Sequence, residues 1–183
     1  MEKISMKVLL IPGSLRKKSF NKSLASHIKS SQSQKAEFEI FEINDIPMFN
    51  EDLEDNLPES VSNLIETIKS SDGIIIITPE YNNSLPAPIR NLIHWLSRKY
   101  SKPYILNKPL GITGVTDGGF GTVRAQHELL QLAVVVGMKV DANHRLPVSK
   151  AYDVFNDEGK IIDDGLKTKV DSFVDNYLEW INN

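Results

Sequence analysis

The sequence predicts an α/β fold: a parallel β-sheet with helices on both faces. Two observations lead there. Short apolar runs alternate with amphipathic helical stripes along the chain, and no repeat, low-complexity tract or linker breaks the series. One of these runs, Gly73-Ile74-Ile75-Ile76-Ile77, has no amphipathic period at all. Its β-branched side chains suit a strand covered on both faces, as in an all-parallel sheet.

Val8-Leu9-Leu10-Ile11 stops at Pro12-Gly13 and reads as a buried strand. Phe20, Leu24, Ala25 and Ile28 then recur at helical spacing behind Ser19, a plausible N-cap. Phe38 to Ile43 alternates, which suits a strand with one wetter face at the edge of the sheet. Pro58 opens a helix striped by Val61, Leu64, Ile65 and Ile68. After the isoleucine strand comes a third stripe, Leu85, Ile89, Leu92, Ile93 and Leu96, entered through Pro86 and Pro88. Leu110 to Val115 is a fourth strand. Arg124 to Val136 is helical and apolar nearly all round in its second half, with Gly137 as its C-terminal cap. Lys139-Val140-Asp141 begins a fifth strand. Leu166, Val170, Phe173, Val174, Tyr177, Leu178 and Ile181 stripe the last helix.

Composition narrows the function. At roughly 150 residues per domain, a chain of 183 is expected to form a single domain over residues 1–183. A hydrophobic share of 40% builds a core and argues against disorder. A net charge of −3 gives no global field for nucleic acid or an anionic membrane. No apolar run approaches the ~18 residues that cross a bilayer. Met1 to Lys7 lacks a signal-peptide core, so a cytoplasmic location is expected. The absence of cysteine excludes disulfide scaffolds, thiolate nucleophiles and Cys-based zinc sites.

In an open parallel sheet, ligands bind beyond the carboxyl ends of the strands. Three loops there are chemically loaded. The first, Pro12 to Asn21, joins a strand to a helix N-terminus, where free N–H groups and the helix dipole favour anions. Ser14, Ser19 and Asn21 add short polar groups and Arg16 a charged fork, the set that a phosphate monoester needs. An ordinary polar loop with a serine cap fits the same residues. The second, Thr78 to Pro86, carries Tyr81, Asn82 and Asn83 between stiffening prolines, so a flat ligand can be held at low ordering cost. Tyr81 covering the sheet end is the plainer alternative. Glu80 as a general base is disfavoured, because no histidine or second carboxylate stands beside it in sequence. The third, Thr116-Asp117-Gly118-Gly119-Phe120-Gly121, permits close backbone approach and exposes N–H groups, or is simply a flexible turn.

Other chemistries fail on spacing. The first loop lacks the Walker A pattern. Gly119-x-Gly121-x-x-Arg124 falls short of a dinucleotide fingerprint, whose last position needs a small residue. His27, His94, His127 and His144 form no metal-ligand pattern, so no metal is expected. No Gly-x-Ser-x-Gly elbow surrounds Ser14, and no acidic cluster of a phospho-acceptor domain ends the first strand.

Gly13-Ser14-Leu15-Arg16-x-x-Ser19-x-Asn21 resembles the phosphate loop of the NAD(P)H-dependent FMN reductase family, the flavodoxin-like quinone, azo-dye and chromate reductases. Pro79-Glu80-Tyr81-Asn82-x-Ser84-x-Pro86, with Arg90-Asn91-x-Ile93-x-Trp95-Leu96-Ser97, resembles its second signature. Asp117 to Gly121 running into Arg124-Ala125-Gln126, and Pro47 to Asp52, resemble two further segments. The resemblance implies a flavodoxin-like three-layer sandwich with a five-stranded parallel sheet in the order 2-1-3-4-5. It implies FMN phosphate binding at Ser14, Arg16, Ser19, Phe20 and Asn21, and ring contacts from Pro79, Glu80, Tyr81 and Asn82. Thr116, Asp117, Gly118, Gly119 and Gly121 would lie at the ring's pyrimidine edge. His94, Ala87 and Arg90 depart from the residues common in that family, which bears on substrate preference and subunit contacts.

The expected function is hydride transfer from NADPH or NADH to the N5 of FMN, and onward to a quinone, azo compound, free flavin or metal oxyanion. The cofactor carries the chemistry, so no protein catalytic residue is required. A flavodoxin-type electron carrier without its own NAD(P)H turnover is the alternative, and a subunit with a vestigial site is a third. The apolar Leu129–Val136 segment points to a homodimer or homotetramer, as the family resemblance also implies; burial by the sheet and the last helix is the plainer alternative.

Overall fold

The computed structural model describes residues 6–183. Met1 to Ser5, which belong to the stretch read for a signal peptide, lie outside the described residues. Strands β1 (Lys7–Pro12), β2 (Glu37–Ile40), β3 (Gly73–Ile77), β4 (Pro109–Val115) and β5 (Lys139–Val148) form one sheet in the order β2-β1-β3-β4-β5. All four pairings are parallel. This is the flavodoxin-like arrangement, with chain order reversing between β1 and β3.

Side chains alternate across the sheet and feed two cores. Val8, Leu10, Ile75 and Ile77 face α1 (Phe20–Ser31) and α7 (Asp164–Asn182). Leu9, Ile11, Ile74 and Ile76 face α2 (Glu59–Lys69), α3 (Ala87–Leu96) and α5 (Val123–Val136). All four isoleucines of β3 are fully buried, as a central strand between two helical layers requires.

Several boundaries differ from the sequence expectation. β2 ends at Ile40, although Phe41 N still donates to Leu10 O at 3.0 Å. Ile43 then leaves the sheet plane for the core under α2 and α3. Pro58 and Pro86 stand at the N-caps of α2 and α3, at the entries expected of them, where a missing N–H costs nothing, and Leu85 of the third stripe falls just before α3. β5 runs ten residues, with a register shift opposite Leu110 and Ile112. The short helices α4 (Lys102–Ile105) and α6 (Ala151–Val154) and a 3-10 turn at Glu51–Leu53 were not expected. None is long enough to show a periodic stripe. Among the described residues, no helix is long and apolar enough to cross a membrane.

Tyr177 of α7 seals the sheet. Its ring is fully buried, and its hydroxyl donates to Ile74 O and Pro109 O, each 3.0 Å away. The ring occupies space left by two glycines: a Cβ at Gly73 would lie 2.3 Å from the hydroxyl, and one at Gly111 3.0 Å from the ring. Burial pushes the phenol far above its usual ionisation range. Tyr177→Phe should cost about 0.5–1.5 kcal/mol in urea unfolding, the net worth of a hydrogen bond. Gly73→Ala should cost more than Tyr177→Phe in the same assay, because it displaces the whole ring.

Candidate functional site

The three loaded loops meet at the carboxyl ends of β1, β3 and β4. Gly13 N donates to Ile77 O at 2.9 Å, so loop one (residues 13–19) leaves the sheet tight against β3. Ser14 is buried, and its hydroxyl lies 3.3 Å from the Tyr81 hydroxyl of loop two (residues 78–86). Arg16 N donates to Ser14 Oγ at 3.4 Å. Among the described residues, the amides of Leu15, Lys17 and Lys18 find no acceptor. Arg16 is exposed, lies 5.5 Å over the Phe20 ring and has no carboxylate partner among the described residues. Ser19 caps α1 by accepting from Asn21 N at 3.2 Å. Free donors and an unpaired cation at a helix start form the chemistry of an anion cradle.

Asn21, expected to contact the phosphate, also has a structural role. It is buried, with Oδ1 accepting from Val115 N at 2.9 Å and Nδ2 donating to Val115 O at 3.0 Å. Each polar end thus makes one bond that ties loop one to the end of β4. Phe20 is half-buried and packs against Tyr152 and Phe155. It is a wall beside the cradle rather than a donor.

Loop two is a tight reversal. Tyr81 N donates to Ser84 O at 3.2 Å and Ser84 N to Tyr81 O at 3.0 Å. Asn82 and Asn83 between them adopt φ of 50° and 59°. Two left-handed residues define a type I′ turn, for which Asn is among the few favoured non-glycine residues. The turn presents Tyr81 (52% exposed) at the rim, while Pro79 is buried behind it.

Glu80 carries a side chain only 7% exposed, but it faces α5. Its Oε2 accepts from Arg124 N at 2.9 Å and Ala125 N at 3.0 Å, and Arg124 pairs with Oε1. The carboxylate thus satisfies the free N–H groups of a helix start. Its backbone remains with the ring loop.

Glu128 was not a sequence candidate. Its Oε2 accepts from Leu85 N at 2.7 Å and Ser84 Oγ at 2.9 Å, and its Oε1 pairs with Arg90. A mid-helix glutamate that meets its partners only through tertiary folding gives no local signal. Arg90, one of the departures noted above, is the cation of this pair.

Loop three (residues 116–121) is braced from β5 and α6. Thr116 N donates to Val148 O, Ala151 N to Thr116 O and Lys150 N to Gly118 O. Gly121 adopts φ 65°, with Pro147 against it, so the chain's own packing requires glycine there. Gly118 and Gly119 are different. A Cβ at Gly119 would meet nothing within 4 Å, and one at Gly118 only the Thr116 methyl at 3.9 Å. No internal contact demands glycine at either position, and Asp117, Gly118 and Gly119 are exposed beside half-buried Thr116. An edge this bare suits close approach by an outside group.

Pro47 to Phe49 is strapped onto α3: Asn91 accepts from Phe49 N, and both Asn91 and Trp95 donate to Pro47 O. Met48 is left exposed, and His94 lies on the surface 6.2 Å from the Phe49 ring. No group of three metal-ligating side chains occurs among the described residues.

Comparison with known proteins fits this geometry. The model of the family described as NADPH-dependent FMN reductase matches residues 6–153. A quinone reductase of Pseudomonas putida is 31% identical over 175 residues, covering 95% of this chain and 94% of that protein. A 2-hydroxy-1,4-benzoquinone reductase of Burkholderia sp is 28% identical, covering 97% of each. The solved structure of FerB, a flavoenzyme NAD(P)H:(acceptor) oxidoreductase from Paracoccus denitrificans, superposes with a TM-score of 0.88 at 32% identity. It covers 97% of both chains.

Asn21→Ala would orphan both backbone groups of Val115 and should destabilise by about 1–3 kcal/mol for each group left unpaired, measured by chemical unfolding. The Glu128 carboxyl is held below the usual range chiefly by the Leu85 N–H, with Ser84 and Arg90 adding to it against desolvation. A depressed folded value stabilises above the ordinary 4.5 and is lost as pH falls through the folded value. Glu128→Gln should therefore flatten part of the acid limb of a melting-temperature profile.

Proposed function

The chain belongs to the NADPH-dependent FMN reductase family, and we propose that it reduces quinone-type acceptors with FMN held among the three loops. It is an FMN-dependent NAD(P)H oxidoreductase, so the alternative of a carrier without NAD(P)H turnover is set aside. The observation that supports the placement of the flavin best is the meeting of loops one and two at Ser14 and Tyr81. It sets an anion cradle beside an aromatic rim.

In this reading Ser14, Ser19, Arg16 and the free loop-one amides hold the phosphate, with Phe20 as a side wall. Pro79, Tyr81 and Asn82, with the backbone of Glu80, line the ring. The bare Thr116–Gly119 edge and Gly121 receive its polar pyrimidine side. When bound, FMN supplies hydride transfer between NAD(P)H and the acceptor. The protein's own part is to anchor the phosphate, fix the ring plane and offer N–H groups to negative charge at the pyrimidine edge. Tyr81, Phe120 and Met48 are exposed apolar side chains on the loops at this end of the sheet. They favour a flat, partly apolar acceptor, in keeping with the quinone reductases among the relatives. Dependence on NAD(P)H as the reductant favours work in the cytoplasm.

Val134 and Val135 of α5 and the neighbouring Leu106 are exposed by 58%, 82% and 54%. Together they support a homodimer or homotetramer through this face.

Purified protein should show a flavin absorption band that bleaches with NADPH or NADH under anaerobic conditions and returns on adding a benzoquinone. Arg16→Ala should weaken FMN binding by about 1.5–3 kcal/mol, the worth of a charge-assisted hydrogen bond. Unchanged affinity would remove Arg16 from the phosphate site. Light scattering should give a multiple of 20.6 kDa, reduced by Val135→Glu.

A further inference from the structure

We propose that Glu80 and Glu128 form a two-carboxylate clamp through which α5 fixes the spacing between loop two and loop three, and so positions the flavin. The functional half of this inference rests on the placement of FMN proposed above.

Each end of the ring loop is fastened to the same helix. At its start, Glu80 spans Arg124 N and Ala125 N in the first turn of α5. At its end, Ser84 Oγ and Leu85 N converge on one oxygen of Glu128, a turn further along, while Arg90 of α3 takes the other. Between these anchors lie Tyr81, Asn82 and Asn83, all exposed; the turn's other side-chain ties are the Tyr81 hydroxyl beside Ser14 and a hydrogen bond from Arg124 Nη1 to Asn83 Oδ1, again from α5. Loop three runs straight into α5 through Thr122, whose hydroxyl is held by Gln126. The two loops therefore take their positions from one rigid element.

An ordinary helix cap accounts for Glu80 alone. It does not account for Glu128, which lies beyond the first turn and directs every hydrogen bond away from its own helix. Both residues are positioning residues: they act on the site through the backbone of loop two.

The test compares Glu128→Ala, Glu128→Gln and the milder Ser84→Ala with the parent protein. Glu128→Ala should speed amide hydrogen exchange in both residues 79–86 and residues 116–121, with β1 and β3 unchanged. FMN binding should weaken about tenfold, equivalent to about 1.4 kcal/mol. Glu128→Gln keeps an acceptor for Leu85 and should restore much of both. Ser84→Ala should move both readouts in the same direction by less, and it guards against a poorly folding alanine variant. Exchange that rises only within α5, or a lower melting temperature with FMN affinity unchanged, would overturn the clamp. A parent protein that takes up no FMN would overturn the functional reading, while the exchange experiment still judges the bracing.

Discussion

The carboxyl end of the sheet depends on one constraint. The last backbone groups of β4 are buried and must find partners, and a single asparagine from another element supplies both. Asn21 matches the N–H and the C=O of Val115 at once, 94 residues away in sequence. Backbone groups buried without partners are costly, so this match fixes the first turn of α1 against the end of β4. Loop one enters α1 and loop three leaves β4, which makes their separation a property of this amide. Gly114 extends the same tight fit: a Cβ there would fall 1.9 Å from Thr78 O. The end of β4 is thereby pressed against the start of loop two.

The pattern repeats around the site with different chemistry. Ser14 joins loops one and two through hydroxyls, and Glu80 and Glu128 join loop two to α5 through carboxylates. Loop three is braced by backbone amides from α6. In each case a polar group closes the gap where helices and strands end and regular hydrogen bonding stops. The cation of Arg16 is left out of this internal economy, and so are the bare edges at Gly118 and Gly119. The chain satisfies its own polar groups first and leaves an anion cradle and an open peptide edge on the outside.

Much of this was legible in the sequence, and the reasons are physical. Four buried isoleucines in a row have no solvent-facing alternative, so β3 is legible in the sequence alone, as is the capping of α1 by Ser19. The loops were identifiable because serine, arginine, asparagine and glycine gather where strands end. Their internal division of labour was not. Asn21 and Ser19 look alike in a motif, yet one tethers a strand and the other caps a helix. Glu80 offered no clue that its charge would meet Arg124, forty-four positions on. Glu128 was invisible, since its partners assemble only when α3 and α5 lie side by side. The ladder of β2 stopped short of the alternating pattern because Ile43 gains more by entering the core than by extending an edge.

Tyr177 has a consequence for the order of events in biosynthesis. Its ring fills the dents left by Gly73 and Gly111, and its hydroxyl meets carbonyls at Ile74 and Pro109. On a ribosome the five strands emerge before α7, so the Tyr177 side of β3 and β4 lacks its cover until that helix follows. The nascent sheet then displays a glycine-notched apolar surface until α7 has emerged. Over that interval the surface has no cover of its own, since the residue that closes it is made after all five strands.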